Sequence, residues 1–106
     1  MTEQTRTYDL WLVTVPPGDN SWLVDTPEAA EHHEARGLGV QPVELTLRVG
    51  QSVNVRAYGR VRRGNVMKLG PRRPVVAFQR NAQREIGQRA FPPSEILYPL
   101  PNPRRG

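Results

Sequence analysis

The stretch "SVNVRAYGRVRRGNVMKL", Ser52 to Leu69, alternates with a period of two, and its two sides differ in kind. Val53, Val55, Ala57, Gly59 and Val61 fall on one side, and Asn54, Arg56, Tyr58, Arg60 and Arg62 on the other. Side chains alternate across a strand. The pattern therefore predicts a strand from Ser52 to about Arg62, with valines facing a core and arginines facing out. "RRGN", Arg62–Asn65, reads as the following turn, after which Val66–Leu69 pairs back.

Working outward, the same period continues on both sides. Upstream, Val43, Leu45, Leu47 and Val49 alternate with Glu44, Thr46 and Arg48, and Gly50-Gln51 makes a turn or kink. The run "VELTLRVGQSVNVRAYG", Val43–Gly59, resembles the strand–Gly-turn–strand opening common in bacterial immunoglobulin-like repeats and phage structural domains. The rest of the chain does not follow that pattern, and no family is assigned. "TYDLWLVTV", Thr7–Val15, is apolar on both sides: Tyr8, Leu10 and Leu12 on one, Trp11, Val13 and Val15 on the other. A strand of that kind is central or sandwiched. "PPGDN", Pro16–Asn20, is a turn, and "SWLV", Ser21–Val24, returns as a hairpin partner.

One segment carries helix signals. In "DTPEAAEHHEARG", Thr26 can cap, Pro27 suits the first helical position, Glu28 and Glu31 sit near the positive end, and Gly37 can close the helix. Its apolar content is three alanines, so it is expected on the surface. Downstream, "GPRRP", Gly70–Pro74, is a basic loop and "VVAFQ", Val75–Gln79, an apolar strand. "RNAQREIGQRA", Arg80–Ala90, reads either as a short helix capped by Asn81 or as a basic loop, with Gly87 weakening the helix.

The expectation is a mainly β fold: a small barrel, sandwich or β-grasp-like roll of about six short strands with one short helix. Residues 1–90 form its β-rich domain. Residues 91–106, with five prolines, form an extended tail docked on its own body or on a partner.

Charge divides the 106-residue chain. Residues 1–47 carry a net −6, residues 48–89 a net +10 and residues 90–106 a net +1. Fourteen of the fifteen bases are arginine, whose flat fork grips phosphate or carboxylate and stacks on bases. Such a chain suits an anionic partner at its middle, unless its two halves neutralise each other across the fold. A GC-rich genome, with its arginine codons, would enrich arginine equally.

Arg56, Tyr58, Arg60 and Arg62, two residues apart, are the candidate contact face, with Arg63, Lys68, Arg72 and Arg73 flanking it. Bases meet successive phosphates and the tyrosine stacks on a base or sugar. The plain alternatives are a solvated sheet face or an arginine face docked on an acidic protein. Trp11, Trp22, Phe91, Ile96, Leu97, Tyr98 and Leu100 are candidate protein-interface anchors.

The chemistry of catalysis is thin. Cysteine is absent, which removes disulfides, thiolate nucleophiles and cysteine zinc sites. Ser21, Ser52 and Ser94 lie in no nucleophile motif, and "RGLGV" lacks the spacing and lysine of a phosphate loop. Glu28 and His32 share a helix face at i, i+4, but no second ligand pair exists. No catalytic residue, metal or cofactor is expected. No apolar run approaches the ~20 residues of a membrane span, and the first ten residues lack a signal peptide's apolar core. A cytoplasmic or virion-associated protein is expected.

Two functions fit. The first is a non-catalytic basic β-domain that binds nucleic acid within a larger assembly. The second is a structural or accessory subunit of a virion or enzyme complex, joined to other chains or to its own copies through the tail and tryptophans. An inhibitor docking on a nucleic-acid enzyme is a third.

Overall fold

In the computed structural model, which describes residues 4–18, 20–79 and 85–104, two antiparallel sheets pack face to face. The first, sheet A, is ordered β2-β1-β3-β9, from β1 (Thr5–Val15), β2 (Asn20–Val24), β3 (Gly39–Arg48) and β9 (Asn102–Pro103). The second, sheet B, is ordered β7-β6-β5-β4-β8, from β4 (Ser52–Ala57), β5 (Arg60–Leu69), β6 (Pro74–Gln79), β7 (Ile86–Ala90) and β8 (Ile96–Tyr98). The architecture is a sandwich with open edges, so the barrel alternative is set aside. Nine strands among the described residues replace the six expected, because the region around β7 and the proline-rich tail add short edge strands.

The shared interior comes from alternation on facing strands. Tyr8 and Leu10 of β1 and Val43, Leu45 and Leu47 of β3 meet Val53, Val55 and Ala57 of β4, with Val66, Val76 and Phe78 beyond them. The two-sided β1 is covered on both faces. Leu12 and Leu23 pack toward the core, while Val13 on the opposite side is fully buried. That second side carries helix α1 (Pro27–Ala35), whose Ala30 is buried. The helix begins as its caps require: the Ala29 backbone N–H donates to Thr26 Oγ1 at 3.2 Å, and Pro27 opens the first turn.

The turn in Ser52–Leu69 lies earlier than expected. β4 ends at Ala57, Tyr58-Gly59 forms a two-residue hairpin, and β5 runs unbroken through Arg62–Asn65. Both turn residues have positive φ, 52° at Tyr58 and 71° at Gly59, as a type I′ hairpin turn needs. Gly64, which reads as a turn residue, has another task. A Cβ there would lie 2.6 Å from the Ala77 carbonyl oxygen and 2.6 Å from a Val76 methyl carbon. Glycine in this strand permits close approach of β6 rather than a change of direction.

The C-terminal segment laces one edge of each sheet. Phe91 and Ile96 are buried at 1% exposure, β8 pairs with β4, and β9 pairs with β3. Arg104 then lies over the outer side of sheet A. One guanidinium nitrogen donates to the main-chain oxygens of Leu10 at 2.7 Å and Val43 at 3.2 Å. The group sits 4.7 Å from the Trp11 ring centroid. Its Nε lies 3.5 Å from Asp9 Oδ1 without a hydrogen-bond partner.

Candidate nucleic-acid interface

The hairpin register decides where each candidate residue points. Directly opposed residues share a face, and Val55 opposes Arg62 while Ala57 opposes Arg60. Arg60 and Arg62 therefore lie on the core-facing side of sheet B. Arg56 opposes Val61 and Arg63 opposes Asn54, on the outer side. The expectation of one face bearing Arg56, Tyr58, Arg60 and Arg62 is corrected by the turn at Tyr58-Gly59, which reverses the parity. The hairpin becomes a finger with arginines on both sides and Tyr58 at its tip.

The tip is built from specific contacts. Tyr58 is 57% exposed, yet its ring centroid is 6.1 Å from that of Phe78, which in turn meets Phe91 edge-on at 5.6 Å. Arg62 and Arg89 place their guanidinium carbons 5.6 and 5.8 Å from the Tyr58 centroid. Arg62 splints the turn: its Nε donates to the Ala57 oxygen at 3.3 Å and its Nη1 to the Gln79 oxygen at 3.1 Å. Arg89 lies 4.5 Å over Phe91. Arg60 and Arg89 are exposed, so the core-facing side of sheet B is open here. A tyrosine in the left-handed region costs about 1–2 kcal/mol, and a strained residue held by its surroundings marks a functional candidate.

Arg89 joins this cluster without any local signal in the sequence. Its place on the core-facing side, opposite Val76, depends on β7 pairing with β6, which Gly87 and the polar neighbours conceal. The helical option over Arg80–Ala90 gives way to β7 for Ile86–Ala90, while Arg80, Asn81 and Arg84 lie outside the described residues.

The flanking bases divide. Lys68 lies on the outer side of sheet B, opposite Val75. Arg72 and Arg73 sit in the β5–β6 loop, at the other end of that sheet from Tyr58. They line a polar cleft of ≈ 530 Å³ together with Asp9 and Asp25. Beside this cleft the Tyr8 hydroxyl donates to the Gly70 oxygen at 2.8 Å. Burial raises the Tyr8 phenol above its ordinary pKa, against a smaller lowering from Arg6.

The protein-interface candidates also divide. Phe91 and Ile96 are core residues with no surface to offer a partner, a correction that follows from their burial. Trp11 is half-buried beneath Arg104. Trp22, 39% exposed, stacks edge-on against His33 at 5.4 Å. Trp22, Leu97 and Leu100 line a cleft of ≈ 720 Å³ with Leu12, Leu23 and Arg56, and Leu100 is 73% exposed. Tyr98 points away from this cleft, on the outer side of sheet B opposite Asn54.

No group of three metal-ligating side chains occurs among the described residues, and none of their helices is long and apolar enough to cross a membrane. Comparison with known protein families, characterised proteins and solved structures gives no match.

Proposed function

We propose that this chain is a non-catalytic nucleic-acid-binding β-sandwich working within a larger assembly, with the β4–β5 hairpin as its contact element. One observation carries the reading: Tyr58, more than half exposed, is held in the left-handed region at the tip of a finger with arginines on both sides. A ring so placed stacks on a base, while Arg56, Arg60 and Arg89 meet phosphates. Arg62, whose donors reach main-chain oxygens, positions Tyr58 instead. Arg72 and Arg73, beside Asp9 and Asp25, contribute less than their number implies.

The test is fluorescence anisotropy with a mixed-sequence oligonucleotide across a salt series. Three or four phosphate contacts give a log–log slope of roughly −2 to −3 on a single strand. Tyr58→Ala should weaken binding about tenfold, whereas His32→Ala on helix α1 should not. An absence of binding at low salt rejects the reading.

A second reading, an accessory subunit joined through Trp22, Leu97 and Leu100, draws on the exposed Leu100 beside its apolar cleft. Deleting residues 91–106 does not test it, because Phe91 and Ile96 would leave the core. Leu100→Ser does: loss of self-association in light scattering, with nucleic-acid binding intact, favours this reading.

A further inference from the structure

The outer side of sheet B carries a small recess away from the Tyr58 tip. It measures ≈ 190 Å³ and is lined by Ser52, Val53, Asn54, Arg63 and Tyr98. It is a shallow recess open to solvent, on the scale of one planar heterocycle. Three of its residues form one row across three strands: Tyr98 of β8 opposes Asn54 of β4, which opposes Arg63 of β5. Neighbours in such a row stand about 5 Å apart. The row therefore holds a ring face, an amide and a guanidinium fork within reach of a single ligand.

The Ser52 hydroxyl bonds to Asn65 at 3.2 Å, but the side chains of Asn54, Arg63 and Tyr98 take no hydrogen-bond, ionic or ring partner among the described residues. Asn54 is half-buried and Tyr98 is 59% exposed. The strand positions of this face include Arg56, Arg63 and Lys68 and no acid. That charge balance favours an anionic occupant over an acidic-and-basic protein surface.

We infer that this recess holds one unpaired purine of a single-stranded nucleic acid, stacked on Tyr98 and read at its edge by Arg63 and Asn54. Arginine pairs bidentately with the O6 and N7 of guanine, and asparagine with the N6 and N7 of adenine. Pyrimidines offer neither edge. A base can reach the recess once it is unpaired and turned toward the sheet. Asn54 on β4 lies four residues before Tyr58 at the hairpin tip, a separation of at most about 13 Å at ~3.3 Å per residue. One short strand can therefore touch both tyrosines. This inference rests on the nucleic-acid reading above and adds to it a strand state and a base class.

The experiment measures affinity for short oligo-dA, oligo-dC, oligo-dT and oligo-rA, a G-containing single strand, and a blunt duplex, at one salt concentration. Purine strands should bind about tenfold tighter than pyrimidine strands and than the duplex. Tyr98→Ala, Asn54→Ala and Arg63→Lys should each bring that preference to within about twofold, because lysine keeps the charge but loses the fork. Tyr98→Phe, which retains the ring, should keep it, and a thermal melt establishes that each variant is folded. Salt-dependent binding without a purine preference overturns this inference and leaves the broader reading standing, as does a preference unaffected by all three substitutions. No binding to any strand overturns both.

Discussion

Sheet A and sheet B share one interior but treat their outer sides differently. Helix α1 lies over the outer side of sheet A at Val13, and Arg104 covers Trp11. The outer side of sheet B is left to solvent, with Val61 at 61% and Ile86 at 68% exposure among its bases. Two valines of the same residue type on outward sides thus have opposite fates: Val13 at 0% and Val61 at 61%. Where the chain needs shelter it builds a cover. On sheet B the described residues leave the basic face exposed.

The sharpest way to break this contrast is to place the same charge at both valines. Val13→Lys buries an unpaired ammonium under helix α1 and should cost about 4 kcal/mol or more, seen as loss of a cooperative denaturation transition. Val61→Lys, its counterpart, belongs at the far end of the scale. Next in size is Gly64→Ala in sheet B, where the new methyl meets the Ala77 carbonyl and Val76. A loss of about 2–3 kcal/mol is expected by urea denaturation. Gly59→Ala bears on a different property, since nothing lies near its Cβ and its positive φ is the obstacle.

A smaller effect probes the junction between the sheets. Tyr8→Phe removes the hydrogen bond from β1 to Gly70 and should cost about 1 kcal/mol. It should also change the alkaline limb. The folded Tyr8 pKa is raised, so its contribution is fully present below the unfolded value of about 10 and is lost as pH rises through the folded value. Wild type should lose stability above about pH 10 more steeply than Tyr8→Phe, measured by chemical denaturation across pH. Smallest in stability is Val61→Lys, within about 0.5 kcal/mol. Under the proposed function it should steepen the salt dependence of nucleic-acid binding by about one contact.

Much of sheet A was legible because its signals are local. The two-sided apolarity of Thr7–Val15 called for cover on both faces, and Thr26, Pro27 and Gly37 bracket a helix with caps of known chemistry. Sheet B turned on telling two glycines apart. Gly59 and Gly64 each sit among basic residues, and only one makes a turn. Tyrosine ahead of Gly59 is unlike the asparagine or aspartate that advertises a type I′ hairpin. Gly64 answers to Val76, Ala77 and Phe78, residues twelve and more positions away. Choosing the wrong glycine moves Arg60 and Arg62 to the wrong side of the sheet, since one reversal exchanges the faces. Arg89 was hidden for the same reason, as its neighbours Tyr58 and Phe91 are brought to it by pairing across β6. The Tyr98–Asn54–Arg63 row joins residues that period-two reading of a single strand never sets side by side.

The lacing of both sheets by the C-terminal segment has a consequence for synthesis. β3 and β4 have an open flank until β8 and β9 arrive, and the core lacks Phe91 and Ile96 until then. A nascent chain therefore cannot complete this sandwich while residues 91–104 remain in the ribosomal exit tunnel. Until that segment is available, the edges of β3 and β4 have no partner on that flank and are exposed to neighbouring strands.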